Sequence, residues 1–504
     1  MTFVDDILDR ITMYRLVLYY LAALLVAGAF FAFFGALSFN PANLAFSTLI
    51  ILGTCWVTNA VFAKGFGAAP NVESIYITGF ILALIITPVS STDYAGVGFL
   101  VFASAWAMAS KYLIAAGNKH LFNPAAFGVA LSALVINHSA TWWVGGNLPL
   151  LPFVFFGGLL IVRKIRRFDL VASFSIAALL TIVLTSGSSD YLAPVAQTFL
   201  HSSFFFFAFV MLTEPLTMPP NRLLRILYGA IVGFFFAPAI HLGSFYFTPE
   251  LALLIGNLFA YAVSPKGRFL LTLIERNNLG TGAYEFVFAP DRAFTFRPGQ
   301  YMEWTLGHRF PDDRGNRRYF TIASSPTEDT VRLGVKFYAP ESSYKRALWN
   351  MQLGDTVSAS HLAGDFILPK DTAKKLVFIA GGIGVTPFRS MVQYLMDMKE
   401  KRSVVLLYAN KTAAEIAYKG VFDTAGRAIG MKTVYALSNE PNPVPGIYAG
   451  MIDGALIKRE IPDYKERTFY ISGPHGMITA FQKVLREMGV SPLRIRTDYF
   501  PGFA

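Results

Sequence analysis

The run Leu376-Val377-Phe378-Ile379-Ala380-Gly381-Gly382-Ile383-Gly384-Val385-Thr386-Pro387 decides the fold of the second half of this chain. Its short apolar stretch reads as a buried parallel strand. The glycines that follow let a backbone approach a pyrophosphate at a helix N-terminus, and Pro387 suits the first turn of that helix. A glycine-rich turn alone is a weak signal. A strand before it and a helical pattern after it, near 386–399, strengthen it. Val404–Ala409, Lys432–Leu437 and Thr468–Ser472 read as further buried strands. Ser472-Gly473-Pro474-His475-Gly476-Met477 is a second strand-to-helix turn, leading into a helix near 475–488. This alternation predicts an α/β nucleotide-binding domain over 371–504.

Working back from that stretch, the chain changes character at Ser264-Pro265-Lys266-Gly267. Between there and residue 370, strand-like runs such as Phe269–Leu273, Tyr284–Phe288 and Tyr301–Leu306 alternate with Gly, Pro and Asn. They predict a small β-barrel domain over 265–370. Two motifs lie in it. Arg318-Tyr319-Phe320-Thr321 follows Arg297-Pro298-Gly299-Gln300-Tyr301 and offers a cation, an aromatic ring and a hydroxyl on one strand. A flavin needs all three, for its phosphate, its ring and its reactive nitrogen; an ordinary edge strand is the plain alternative. Ser342-Ser343 stands before a helical run and can cap it, or its free N–H groups can hold a phosphate.

With these motifs in order, the second half resembles the ferredoxin–NADP reductase family along about 265–504. The resemblance implies FAD bound by Arg318, Tyr319, Phe320 and Thr321, with Val335 and Lys336 beside it and Thr321 near N5. It implies that Ser342 and Ser343 hold the pyrophosphate. Gly381, Gly382, Gly384, Thr386 and Pro387 would receive NAD(P)H, with Asn410, Lys411, Gly473, Pro474 and Met477 around it. Thr321 and Ser472 are the expected catalytic pair. Ser472 stands where the family often has Cys, and Phe320 where it usually has Tyr. Phe500, in the closing Asp498-Tyr499-Phe500-Pro501-Gly502-Phe503, is expected to cover the flavin. No Asp or Glu occurs in Tyr408-Ala409-Asn410-Lys411, and Lys411 can pair with a 2′-phosphate, so NADPH is favoured over NADH.

The first half is another kind of molecule. The 504 residues are 54% hydrophobic and only 15% charged, with 47 Phe, which excludes an ordinary soluble enzyme and a disordered chain. Cys55 is the single cysteine, so no internal disulfide, cysteine-ligated iron–sulfur cluster or structural zinc site is expected, and no metal site is assigned. Most of the net charge of +11 lies beyond residue 264, without a basic run interleaved with aromatics. Nucleic acid is therefore excluded as a partner; anionic lipid or an anionic dinucleotide explains the excess. Ten apolar segments lie near 13–37, 45–63, 74–90, 94–114, 123–137, 149–162, 169–186, 196–214, 223–240 and 248–263. Lys and Arg fall in or beside one set of connections and are absent from the alternate loops 38–44, 91–93, 138–148, 187–195 and 241–247, which predicts a ten-span domain over 1–264 with both termini cytoplasmic. The acidic first twelve residues do not read as a signal peptide. Ile86-Thr87-Pro88 and Phe122-Asn123-Pro124 recur at nearly equal offsets as Thr213-Glu214-Pro215 and Phe247-Thr248-Pro249, which suggests an inverted repeat of five plus five spans.

Three stretches carry a second resemblance: Lys119-His120-Leu121-Phe122-Asn123-Pro124-Ala125, the Arg-rich loop Arg163–Arg167 and Met211-Leu212-Thr213-Glu214-Pro215. Through them, about 20–262 resembles the RnfD/NqrB family of membrane proteins, which belong to the Rnf complex and to the sodium-pumping NADH:quinone reductase. In that family, flavins inside the fold carry electrons across the membrane. The covalent FMN-bearing Ser-Gly-Ala-Thr motif is missing here, so a second, non-covalent flavin (FMN or riboflavin) is expected, with Asn123 and Glu214 as candidate binders. Scattered His residues without a facing pair speak against haem. The whole reads as a multi-pass protein of the cytoplasmic membrane that passes electrons from NAD(P)H through FAD to a quinone or an extracytoplasmic redox protein. The alternatives are a reductase merely anchored to the membrane, and a transporter with a regulatory nucleotide-binding domain.

Overall fold

The computed structural model describes residues 8, 11–66, 72–116, 119–187, 190–264, 268–312, 315–440 and 445–498. They form two compact units, Ile11–Gly267 and Arg268 onward.

The first unit is helical: α1 (Met13–Phe33), α2 (Pro41–Gly65), α3 (Val72–Ile85), α4 (Tyr94–Leu113), α5 (Pro124–Ile136), α6 (Leu151–Ile165), α7 (Phe168–Thr185), α8 (Leu192–His201), α9 (Phe204–Met211, mostly a π turn), α10 (Arg222–Phe236) and α11 (Pro249–Val263). Every one of the ten apolar segments contains a helix, but ten spans are not shown. Among the described residues, five helices are long and apolar enough to cross a membrane, and six if α8 and α9, bent by 69° at Ser202-Ser203, count as one. The others are too short for a bilayer core of about 30 Å. Proline explains two of them. Pro124 and Pro249 fix the first turns of α5 and α11, with Asn123 and Thr248 as side-chain N-caps. Both helices thus begin at the matching landmarks of the repeat.

The second unit holds two sheets. The first comprises β1 (Phe269–Gly280), β2 (Ala283–Pro290), β3 (Tyr301–Thr305), β4 (Arg317–Thr321), β5 (Val331–Lys336) and β6 (Thr356–Ala363), antiparallel in the order β4-β3-β6-β1-β2-β5. The expected barrel is therefore found as a six-stranded sheet whose edges, β4 and β5, are not laddered together among the described residues. Two bonds tie the chain just past β4 to β5: Ala323 N–H to Arg332 O at 2.8 Å, and Arg332 N–H to Ser324 Oγ at 3.1 Å. Alternation along the strands sends Phe286, Phe288, Trp304 and Leu333 into one core, closed by α12 (Ser343–Asn350). The second sheet is parallel throughout. It comprises β7 (Leu376–Gly381), β8 (Val404–Asn410), β9 (Lys432–Leu437), β10 (Tyr448–Ala449), β11 (Thr468–Ser472) and β12 (Ile495–Asp498), in the order β10-β9-β8-β7-β11-β12. Its helices are α13 (Thr386–Asp397), α14 (Lys419–Ile429), α15 (Gly454–Glu460) and α16 (His475–Glu487). All six residues of β7 are buried, as a central strand covered on both faces requires.

Candidate functional site

The carboxyl ends of β7 and β11 carry the two turns read from the sequence. Gly382 adopts φ +52, and a Cβ built on it would meet nothing within 4 Å, so its backbone faces open space. Gly384 is the opposite case. A Cβ there would lie 2.5 Å from Gly473 Cα and 2.7 Å from Ser472 O, so the two turns touch backbone to backbone. Met477 closes the floor, its sulfur filling the space that a Cβ on Gly381 would need. Thr386 and Pro387 are buried at the start of α13. An open glycine backbone beside a helix start is what a dinucleotide pyrophosphate needs.

On the first sheet, Arg318 and Phe320 point toward the same core and share one neighbour. The Arg318 guanidinium lies 5.1 Å from the Tyr344 ring centroid, and the Phe320 ring lies 6.0 Å from it. Tyr344, fully buried on α12, is a residue that sequence reasoning missed; its place just after Ser342-Ser343 is the only signal. Tyr319 faces away and donates to Glu303 Oε2 at 2.7 Å. Ser342 caps α12, accepting from Lys345 N–H at 3.2 Å. Ser343 N–H donates to Asp312 Oδ2 at 2.8 Å, and the other oxygen of Asp312 lies 3.9 Å from Arg318 Nη2. A carboxylate thus occupies the N-terminus of α12 beside an arginine, standing in for an anion such as phosphate. The residues present therefore fit the phosphate end of a flavin dinucleotide. Val335 is packed in the core at 2% exposure and can offer only its backbone. Lys336 is paired with Glu415 at 2.6 Å.

The two expected catalytic residues converge on a third. Thr321 Oγ1 donates to Asp498 Oδ2 at 3.4 Å, and Ser472 lies opposite Asp498 in the register of β11 and β12 and also bonds its carboxyl. Burial pushes the Asp498 carboxyl up to about 7, against the opposing pull of the two hydroxyls. In the sequence this aspartate reads only as the start of a tail. Phe500, expected to cover the flavin, lies outside the described residues.

At the end of β8, Asn410 is buried and Lys411 exposed. Residues 408–411 themselves hold no acid, but one approaches from elsewhere. Glu440 lies beyond the next strand and reaches back to accept from Ala413 N–H at 2.7 Å. The two sheets are joined by Arg389, which donates to Ala323 O at 3.2 Å and grips Glu328 through both terminal nitrogens, and by Ser390 Oγ donating to Ser324 O at 2.6 Å.

In the helical unit, Asn123 and Glu214 bind each other. Asn123 Nδ2 donates to Glu214 Oε2 at 2.9 Å, Thr217 Oγ1 donates to the same oxygen at 3.1 Å, and His120 Nε2 lies 3.2 Å from Oε1. Asn257 on α11 accepts from Asn123 N–H at 2.8 Å and lies 3.2 Å from the Tyr228 hydroxyl. The cluster ties the N-cap of α5 to α10 and α11. Among the described residues no group of three or more His, Cys, Asp or Glu is placed to hold a metal.

Comparison with known proteins agrees with the second unit. A family described as oxidoreductase NAD-binding domain matches residues 378–483. The flavohemoprotein of Bacillus subtilis is 30% identical over 210 residues, which is 41% of this chain and 51% of that protein. The F component of the Na(+)-translocating NADH-quinone reductase of Serratia proteamaculans is 31% identical over 204 residues, 38% of this chain and 47% of that protein. The chain thus spans about half the length of the curated relatives it matches. Among solved structures, the FAD/NAD-binding domain of a nitric oxide dioxygenase from Vibrio cholerae aligns at 21% identity and TM-score 0.42, covering 46% of this chain and 98% of that one.

Proposed function

We propose that this chain is a membrane flavoprotein that oxidises NAD(P)H at an FAD held in residues 268–498. The observation that carries this reading is the meeting of Thr321, Ser472 and Asp498. It joins the end of the flavin-motif strand to the edge of the nucleotide sheet. Bound FAD supplies the conversion of a two-electron hydride into single electrons. Arg318 and the N-terminus of α12 would hold its phosphates, and Phe320 would pack along its ring. The Gly381–Gly384 turn would hold the dinucleotide. Thr321 Oγ1 orients the Asp498 carboxyl, which when ionised can accept a proton as electrons leave and hold it near neutral pH.

The helical unit is read as a multi-pass domain of the cytoplasmic membrane with both termini cytoplasmic. It would take the electrons on a second, non-covalent flavin (FMN or riboflavin) near Asn123 and Glu214 and deliver them to a quinone or an extracytoplasmic redox protein. The mutual pairing of Asn123 and Glu214 favours a second reading, a reductase anchored in the membrane without transmembrane transfer. Counting the flavins released from the purified full-length chain separates the two. FAD together with FMN or riboflavin supports the relay. FAD alone supports the anchored enzyme, and a chain that binds no flavin defeats both.

A further inference from the structure

One strand of the flavin sheet turns a face toward the nucleotide sheet. β5 sends Val331, Leu333 and Val335 into its own core, so Arg332, Gly334 and Lys336 point the other way. Arg332 Nε donates to Glu328 Oε1 at 3.1 Å, and Arg389 of α13 grips the same carboxylate. Gly334 is the point of close approach. A Cβ built on it would lie 2.7 Å from Thr386 Cγ2, 2.8 Å from the Tyr418 hydroxyl and 3.3 Å from Ile383 Cδ1. Lys336 Nζ donates to Glu415 Oε2 at 2.6 Å. Ile383 and Thr386 belong to the glycine turn and the helix it opens, whereas Glu415 and Tyr418 belong to residues 413–418, between β8 and α14. That segment is tied on two sides. Toward the flavin sheet, Thr281 N–H donates to Ala414 O at 3.0 Å. Toward the glycine turn, Ala417 N–H donates to the Tyr408 hydroxyl at 3.2 Å, which in turn donates to Gly382 O at 3.1 Å. Tyr418 stands at φ +58, a left-handed conformation that a bulky residue holds only under constraint. Its hydroxyl is shut off from solvent, against Gly334 and beside the buried Glu285 carboxyl of β2.

We propose that residues 413–418 are a strap that couples the two cofactor sites, with Tyr418 as its positioning residue. What occupies the Gly381–Gly384 turn is felt at β5, and what β5 holds is felt at the turn. The inference rests on the reading of residues 268–498 as an FAD site that oxidises NAD(P)H. The turn cannot shift without moving Tyr408 and Ala417, and Gly334 leaves no room for β5 to slide past Thr386 and Tyr418. A ligand at either site orders this one network, so less is left to order for the other. Such coupling is reciprocal: the nucleotide raises the affinity for FAD by the same factor as FAD raises that for the nucleotide. The strap also sets the distance over which hydride must pass, and small misplacements there are costly in rate.

The test uses the purified full-length chain freed of FAD. FAD affinity is measured by flavin fluorescence, with and without saturating NAD+ or NADP+, in wild type, Tyr418→Phe and Gly334→Ala. Wild type should bind FAD about fivefold more tightly when one of the two nucleotides is present, and either variant at most about twofold more tightly. Once loaded with FAD, the variants should also be reduced about tenfold more slowly at saturating NADH or NADPH, where nucleotide affinity no longer matters. Coupling that is absent in wild type, or unchanged in both variants, overturns the inference and leaves the reductase reading standing. A chain that binds no FAD under any of these conditions overturns both. If the variants fail to fold, hydrogen exchange of the FAD-free wild type decides. Amides of β5 that gain protection from the nucleotide alone support the strap, and unchanged ones overturn it.

Discussion

Asp498 shows how much a single side chain gains from its place in a fold. Its carboxyl is held near 7 by burial. As a proton acceptor it works only when ionised, so electron exit from reduced flavin should accelerate as pH rises through about 7. Asp498→Asn should lose that inflection and slow exit by about a hundredfold at higher pH, read by stopped-flow reoxidation. The sign for stability is opposite. A carboxyl whose folded pKa lies above the unfolded value binds its proton more tightly when folded. Stability is therefore lost as pH climbs from the ordinary carboxylate range through about 7. Asp498→Asn should raise the melting temperature above neutral pH and leave it unchanged in acid. None of this was legible in the sequence, because an acid near a chain end carries no signal until strand pairing sets it between two hydroxyls. That Arg318, Phe320 and Thr321 share one strand was legible, since cation, ring and hydroxyl lie within a single short run. Glu440 was not, because the residues it serves belong to a different strand.

Elements carry the next level of constraint. The glycine turn after β7 reads as a phosphate cradle, and Gly382 fits that use. Gly384 does something else. It lets one strand-to-helix turn lie against another, and the partner backbone at Ser472-Gly473 cannot retreat. Gly384→Ala should therefore destabilise the second unit by about 2 kcal/mol, seen as a lower denaturant midpoint, and should weaken NAD(P)H binding together with stability. In the helical unit, apolar runs located the helices but not their lengths. Apolar composition continues through Pro124 and Pro249 and through the bend at Ser202-Ser203. The backbone geometry of proline shortens α5 and α11, and the bend and π turn break α8 from α9.

At the scale of the whole molecule, each unit keeps its own hydrophobic core. One apolar cluster runs from Val17 to Ala260, and three separate ones lie between Phe269 and Ile495. That division followed from composition, because charge density jumps past residue 264. The joint between the two sheets did not. Arg389 is at 6% exposure and Glu328 faces it, although 61 residues separate them in sequence. Arg389→Ala strands a partly buried carboxylate and should cost about 3 kcal/mol. Hydride transfer should fall further than stability alone explains, because the pair fixes the two sheets against each other. Stopped-flow flavin reduction beside a denaturation curve separates the two effects, and Arg389→Lys should restore stability only in part.

The carboxylate of Asp312 at the head of α12 has a consequence for how tightly a cofactor would be held there. In the proposed reading, in which Arg318 and the head of α12 hold the FAD phosphates, the Asp312 carboxylate competes for the same donors. The cofactor would then bind by exchange with a tethered anion and lose apparent affinity. Asp312→Asn should tilt that exchange, tightening FAD about tenfold in a fluorescence titration while lowering the melting temperature of the cofactor-free form.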